Sequence, residues 1–315
     1  MLKFIDTHIH FWNPSVLNYP WLATEEWKHL ADTFEPTDFE KIADNVVGTV
    51  HVQAEVDHAD DPVSETAWLD SFRRNTHPAR PVPTVVVGYA DLTQRDLPDV
   101  LDRHQAYDYF RGVRQEAWYD AASAERGLEH DVALLQHPDW VNGLAELARR
   151  GLTFDLLVYA HQLRAAADIF ASVPDLRVVV DHLGHPASAI DNGTWQDDLR
   201  YFKERVPNAF VKLSGFSFVA PNLKDEAIRN RTLETLDIFG PERCMAASNY
   251  PVDKTLGSYA DIWSTFDQIT ADLGEPDRSK IFIHSAVDFY GLEMPQHDGA
   301  EAELTNGKCA TKQGS

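Results

Sequence analysis

Residues 3–10 read KFIDTHIH, an apolar and β-branched run that ends in two histidines. Seven further short runs of the same kind follow, separated by amphipathic stretches, as in strand–helix units built around a parallel sheet. The eight predicted strands cover residues 3–10, 46–55, 82–92, 110–116, 152–158, 177–183, 209–215 and 244–251. The first run therefore opens a pattern that repeats along most of the chain.

The spacing of these runs favours a closed barrel. Their starts lie roughly 25 to 45 residues apart, which leaves room for one helix and two loops in each interval. In residues 139–150, apolar side chains recur three and four apart, and Gly151 follows as a helix C-cap would. An open doubly wound sheet would begin with a glycine-rich turn, which this sequence lacks. We predict one α/β domain, a (β/α)8 TIM-like barrel over residues 1–295, followed by a flexible tail over the polar residues 296–315.

The charge balance and the cysteine count restrict the partners and the compartment. Lys and Arg number 28 against 50 Asp and Glu, so the net charge of -22 repels phosphate backbones and anionic membranes. We expect a small-molecule substrate and no nucleic-acid or membrane partner, and a homo-oligomer is compatible with the sequence. Only Cys244 and Cys309 occur, and the chain has no signal-like or membrane-spanning run. A reducing, cytoplasmic location is therefore expected.

Polar residues finish or follow the predicted strands, and in a barrel these strand ends carry the chemistry. They are His8, His10, Gln53, Glu55, Arg114, Gln115, His161, His182, Lys212, Asn249 and Asp253. Side chains alternate along a strand, so His8 and His10 lie on one face and could share a metal ion. A hydrogen-bonded pair without metal is the alternative.

Three of the other candidates have a structural alternative as well. Lys212 lies in a run that would be buried, so it needs either a carboxylate partner or a substrate. Arg114 could bind substrate or pair with Glu55 or Glu116. His161 could bind substrate or simply lie over a helix start. In the long loop after the first strand, we expect Trp21 to line the pocket and Trp27 to anchor the loop.

The ordered set of strand-end segments resembles the amidohydrolase superfamily. The segments on which the resemblance rests include IDTHIHFWNP at residues 5–14, RGVRQ at 111–115, VVVDHLGHP at 178–186, VKLSG at 211–215 and SNYP at 248–251. The similarity is to the amidohydrolase-2 branch, with its fuconolactonase-like and pyrone-dicarboxylate-lactonase-like hydrolases. The resemblance implies a distorted barrel in which water attacks an ester carbonyl over the strand ends. It also implies that His8 and His10 match the metal-binding pair, and His182 the histidine of the sixth strand.

The eighth strand departs from the family pattern. The usual Ser-Asp-Trp-Pro, whose Asp takes a proton from water, is replaced by Ser248-Asn249-Tyr250-Pro251. An amide has no useful basicity, so Asn249 can only coordinate or hydrogen-bond, and Asp253 becomes the candidate base. Members of this branch differ in whether they need a metal, so a divalent ion, zinc by resemblance, stays an open expectation.

The leading prediction is therefore a hydrolase that opens a small sugar-acid or carboxylated ring lactone, or an ester. His8 and His10 would hold zinc or polarise the carbonyl, His182 and Lys212 would stabilise the oxyanion, and Arg114 would hold a carboxylate. Gln53, Trp21 and His161 complete the expected substrate-binding set. Two alternatives remain: a metal-dependent non-oxidative decarboxylase of the same superfamily, and a small-molecule binder that lost hydrolysis when it acquired Asn249.

Overall fold

Eight parallel strands pair in the order in which they occur along the chain. The computed structural model describes residues 3–75, 81–119, 134–186 and 193–293. The strands are β1 Phe4–Ile9, β2 Val46–Val52, β3 Val85–Gly88, β4 Phe110–Val113, β5 Thr153–Leu156, β6 Arg177–Val180, β7 Phe210–Leu213 and β8 Cys244–Ala246. The predicted tail, residues 296–315, lies outside the described residues.

The sheet closes where the last strand meets the first. Ile9 forms a parallel bridge with Tyr250 just beyond β8. The backbone N–H of Asn249 donates to the His8 carbonyl at 2.9 Å, and that of His10 donates to the Tyr250 carbonyl at 2.9 Å. The result is a nearly closed barrel, which confirms the predicted (β/α)8 architecture.

Helices lie between the strands, as the barrel requires. The α-helices are Pro36–Phe39, Ser64–Arg73, Leu97–Gln105, Trp140–Arg149, Leu163–Phe170, Trp195–Arg205, Phe216–Val219, Glu226–Phe239, Tyr259–Ile269, Glu275–Ser279 and Ser285–Tyr290. The helix predicted over residues 139–150 is confirmed as Trp140–Arg149, and Gly151 follows it with a φ of 69°. Within the described part of the chain, no helix is long and apolar enough to cross a membrane.

Several predicted strands extend past the observed ones at their carboxyl ends. β2 ends at Val52 instead of residue 55, and β8 ends at Ala246 instead of residue 251. The residues beyond include Glu55 with a φ of 58° and Asn249 with a φ of 52°, and such left-handed backbone cannot continue a strand. The chain therefore turns out of the sheet where the polar side chains begin.

The apolar core fills the interior of the barrel toward the amino-terminal ends of the strands. Inside the barrel, side chains such as Ile5, Val50 and Met245 pack against Phe289 and Tyr290 of the helix Ser285–Tyr290. That helix covers the amino-terminal ends of the strands, where Arg177 also pairs with Asp288 at 3.0 Å. The carboxyl ends of the strands face the loops that carry the polar residues.

Candidate active site

The two histidines of β1 lie side by side at the carboxyl end of the barrel. His8 and His10 are buried, and their Nε2 atoms are 3.1 Å apart. The Nδ1 of His10 lies 2.7 Å from the Val52 carbonyl oxygen. That oxygen can only accept, so Nδ1 of His10 carries the proton and its Nε2 keeps a lone pair. The prediction that the two imidazoles share one face of the strand is confirmed.

His182 joins this pair from the end of β6. Its ring centroid is 4.6 Å from that of His8, and its Nδ1 lies 2.9 Å from the Ser214 hydroxyl. Gly215 makes this close approach possible, because a Cβ at that position would lie 2.7 Å from the Cβ of His182. The left-handed φ of 67° at Gly215 is a second reason for glycine there.

All three imidazoles are held neutral by their surroundings. Burial lowers the pKa of His8, His10 and His182 well below the usual histidine value. The cation Lys212 lowers the pKa of His8 further, and Arg114 acts in the same direction on His10. Neutral imidazoles can donate ring lone pairs to a metal ion or to a hydrogen-bond donor.

The donor set fits a divalent cation. Two Nε2 atoms 3.1 Å apart can both bind one ion at about 2.1 Å, the usual zinc–imidazole distance. The Nδ1 of His8 lies 3.4 Å from an Asp181 carboxylate oxygen and 3.1 Å from the Lys212 Nζ. Metal binding through the Nε2 of His8 requires that Nδ1 carries the proton and donates to Asp181 instead of accepting from Lys212. Ligand atoms of His8, Asp181 and His182 all lie within 4.8 Å of one another. This cluster is a candidate metal site.

Lys212 lies inside the barrel and has carboxylate partners. Its side chain is fully buried, its Nζ contacts Asp155, and it lies 3.2 Å from Asp181. The same Nζ is 3.1 Å from the Nδ1 of His8. Of the two alternatives left open by the sequence, the structure supplies the ion pair, and it places Lys212 behind His8 instead of in the pocket wall.

A small pocket opens over the histidines. Its volume is about 130 Å³. The described residues that line it are His10, Trp12, Trp21, Trp27, Ala54, Glu55, Arg114, Glu116, Trp118, Leu157, His182, Phe218, Asn249 and Val252. Trp21 is in the wall as expected, held by its Nε1 donating to the Ala54 carbonyl at 2.8 Å. Trp27, for which anchoring of the loop was the favoured of two expected roles, lines the pocket as well.

Arg114 reaches the pocket from the end of β4. One terminal nitrogen donates to the Gln53 carbonyl at 2.6 Å and lies 3.4 Å from a Glu116 oxygen. Its Nε is buried and has no acceptor among the described residues. Gln53 itself is buried and directs its side-chain amide to Glu55. Arg114 thus lines the pocket with a guanidinium held by Gln53 and Glu116, whereas Gln53 supports its neighbours.

Glu55 and Glu116 line the pocket, although the sequence analysis assigned neither of them a role in catalysis or substrate binding. Burial raises the pKa of Glu116, and the negative charge of Glu55 raises it further. Burial alone would also raise the pKa of Glu55, but His58, whose Nε2 is 3.0 Å away, reverses the shift and lowers it. Their positions just after β2 and β4 were the signal in the sequence. There, the two residues were considered as possible ion-pair partners of Arg114.

Asn249 and Asp253 form one buried unit beyond β8. The Asn249 side-chain N–H donates to Asp253 at 3.0 Å, and Asn249 lines the pocket. Asp253 also accepts from the Ser217 hydroxyl at 2.6 Å and from the Phe216 N–H at 2.8 Å. Burial raises the pKa of Asp253 to about 6. Its carboxylate is used to hold Asn249 and the segment after β7, and it does not line the pocket.

His161 is not brought to the other site residues. It lies in the short turn Ala160–Gln162, where it is exposed and stacks on Tyr159 with ring centroids 5.9 Å apart. It is not among the described residues of the pocket wall. The structure therefore unites His8, His10, His182, Arg114, Trp21 and Asn249, with Lys212, Gln53 and Asp253 in supporting positions.

Comparison with known proteins agrees with this geometry. Residues 5–292 match the amidohydrolase family. The uncharacterised protein y4mH of Sinorhizobium fredii is 32% identical over 301 residues, which are 92% of this chain and 98% of that protein. An L-fucono-1,5-lactonase of Burkholderia multivorans is 28% identical over 309 residues, 92% of this chain and 97% of that enzyme.

A solved structure gives the same result for the fold. An amidohydrolase from Burkholderia multivorans with bound zinc superposes with a TM-score of 0.77 at 26% identity, covering 92% of this chain and 100% of that one. The barrel fold, the histidines at the strand ends and the sequence similarity all indicate the same family. The sequence similarity spans most of the chain. This protein belongs to the amidohydrolase family.

Proposed function

We propose that this hydrolase opens a small, neutral sugar-acid lactone by attack of water on the ring carbonyl. The observation that carries the proposal is the pocket wall, which combines a histidine cluster at its base with aromatic side faces and two carboxylates. Relatives named as L-fucono-1,5-lactonases support a lactone substrate. The residues of the pocket wall do not require the substrate to carry a carboxylate.

The charges in the wall support a polyhydroxylated substrate over a carboxylated one. Among the described lining residues, Arg114 is the one permanently charged cation, and it already faces Glu116 at 3.4 Å. Glu55 and Glu116 accept hydrogen bonds, as the hydroxyl groups of a sugar ring require. Trp12, Trp21 and Trp118 offer flat apolar faces for the C–H side of such a ring.

His8, Asp181 and His182, whose ligand atoms lie within 4.8 Å of one another, would hold the divalent cation together with His10 beside His8, and zinc fits the nitrogen donors. When bound, the ion would polarise the carbonyl and make its bound water more acidic. Arg114, which lines the pocket, would donate a guanidinium N–H to an oxygen of the substrate. Asn249 donates through its nitrogen to Asp253, which leaves its amide oxygen to accept from water or a substrate hydroxyl. The aromatic walls exclude bulk water from the ring.

The test is a lactone panel with a pH-indicator readout, combined with metal analysis of the purified protein. We expect turnover of sugar-acid lactones, weak or no turnover of dicarboxylated lactones, and near-stoichiometric divalent metal. His10→Ala should lower kcat/KM at least about 100-fold. His284→Ala, at an exposed position away from the pocket, is the control and should be unaffected.

Two other results would assign a different function. Release of carbon dioxide from aromatic acids without lactone turnover would identify a decarboxylase. Tight binding of sugar lactones without any turnover would identify a binding protein.

We also propose that the protein acts in the cytoplasm without nucleic-acid or membrane partners. The net charge of -22 supports this, because it opposes binding to phosphate backbones and anionic lipid. The buried thiol of Cys244 is compatible with a reducing compartment.

A further inference from the structure

Hydrolysis of a lactone needs a group that accepts a proton from water, and the eighth strand does not offer one. Asn249 is an amide, and Asp253 is surrounded by three hydrogen-bond donors outside the pocket wall. Among the described residues of the wall, the carboxylates are Glu55 and Glu116. The choice of base therefore lies between these two.

The two carboxylates differ in how firmly they are engaged. Glu55 accepts from the Gln53 side-chain amide and faces the Nε2 of His58 at 3.0 Å. His58 in turn stacks on Tyr89 with ring centroids 4.1 Å apart, so this arrangement is held in place. Glu116 faces Arg114 at 3.4 Å, which is too long for a strong charge-assisted hydrogen bond. Glu116 is thus the carboxylate better able to exchange a proton.

Building on the proposed lactonase function, we propose that Glu116 is the acid–base residue of ring opening, in the role that a carboxylate on the eighth strand would otherwise take. Its carboxylate removes a proton from the attacking water as the new C–O bond forms. Glu116 then gives that proton to the ring oxygen as the original C–O bond breaks. The products are a hydroxyl group and a carboxylic acid, which loses its own proton to solvent.

The surroundings of Glu116 suit this role. Burial and the negative charge of Glu55 raise the pKa of Glu116, while the charges of Arg114 and His58 oppose the increase. A carboxylate with a pKa nearer the working pH is a stronger base than an ordinary one, and once protonated it keeps the proton until the ring oxygen takes it in the second step. Because the ionised form is needed for the first step, the rate should rise with pH through the pKa of Glu116.

The test compares Glu116→Gln, Glu116→Ala and Glu55→Gln in the holoenzyme, using the best lactone of the panel. Glu116→Gln should lower kcat by about 10²- to 10⁴-fold, with KM changed less than about threefold, and the acidic limb of the pH–rate profile should disappear. Added formate should partly restore the activity of Glu116→Ala. Glu55→Gln should keep the acidic limb.

Circular dichroism and metal content of the variants should match those of the unmodified protein, which separates a chemical role from misfolding. If Glu116→Gln retains the pH profile and most of kcat, or if formate rescues only a Glu55→Ala variant, the inference is overturned while the lactonase function stands. If the unmodified protein opens no lactone, the proposed function and this inference both fail.

Discussion

At the scale of single residues, the site depends on buried charges that balance one another. Lys212 is fully buried and carries its charge between Asp155 and Asp181, and it also contacts the Nδ1 of His8. A buried ion pair adds little net stability over an apolar replacement of the whole group. Loss of one member, however, leaves uncompensated charge in the interior.

Lys212→Met should therefore destabilise the protein strongly, by about 3–5 kcal/mol, because two carboxylates remain buried without their cation. Urea unfolding measures the change. Lys41→Met is the control: Lys41 pairs with Asp38 at 2.8 Å on the surface, and its loss should cost less than about 1 kcal/mol. Equal effects of the two substitutions would contradict the role assigned to Lys212.

The Asn249 amide avoids a second charge beside Asp253. In Asn249→Asp, the new carboxylate would lie beside that of Asp253, where a hydrogen bond of 3.0 Å now joins the Asn249 amide to the Asp253 carboxylate. One carboxyl of the pair would then have a pKa raised above its unfolded value. Its contribution to stability is present below the unfolded pKa and is lost as the pH rises through the folded pKa.

We expect Asn249→Asp to lose about 1–3 kcal/mol more stability than the unmodified protein between pH 5 and pH 8. Urea unfolding at both pH values tests this. Asn222→Asp, at an exposed loop position, should show no such pH dependence. A variant equally stable at both pH values would mean that the pair does not share a proton.

At the scale of elements, close approaches and neutral hydrogen bonds join helices to strands. Gly112 allows β4 to pass β5, because a Cβ there would lie 2.7 Å from the backbone oxygen of Thr153. His104 joins three elements: its Nε2 lies 2.9 Å from the Tyr89 carbonyl, and its Nδ1 lies 3.1 Å from the Thr66 hydroxyl. The carbonyl requires a proton on Nε2, so the neutral ring satisfies both contacts.

Burial lowers the pKa of His104 to about 4, below the unfolded value of about 6.5. Its contribution to stability is therefore present above pH 6.5 and is lost as the pH falls toward 4. Between pH 7 and pH 5, the unmodified protein should lose up to about 2 kcal/mol more stability than His104→Gln. Urea unfolding at the two pH values measures the difference. His29→Gln, an exposed control, should follow the unmodified protein, and identical losses in all three would refute the assignment.

At the scale of the whole molecule, a buried network connects the two ends of the barrel. The Tyr290 hydroxyl, from the helix that closes the amino-terminal end, donates to Asp155 at 3.1 Å. Asp155 holds Lys212, which contacts His8 at the catalytic end. Residues from four distant parts of the chain meet in this network, so their energies should be coupled.

A double-mutant cycle with Tyr290→Phe and Lys212→Met should give a coupling energy of about 0.5–3 kcal/mol. Equilibrium unfolding of the single and double variants measures it. The matched control is Tyr201→Phe, whose exposed hydroxyl donates to Asp168 at 2.8 Å. It should combine additively with Lys212→Met, and additive behaviour of both pairs would show that the network is not coupled.

Much of the barrel could be read from periodicity, because apolar strands separated by amphipathic helices repeat along the chain. The position of His8 and His10 followed from the alternation of side chains along one strand. The partners of Lys212 could not be read in this way, since Asp155 is 57 positions away in sequence and lies on another strand. The exposure of His161 could not be predicted from the sequence either, because a residue just past a strand can face the pocket or the solvent.

The barrel and the histidine pair followed from the sequence alone. These features depend on local patterns, in which neighbouring residues dictate burial and direction. Only the tertiary structure decided which polar groups meet: Lys212 behind His8, Asp253 holding Asn249, and Glu116 in the pocket wall. Those contacts join residues brought together by closure of the sheet, which no local pattern encodes.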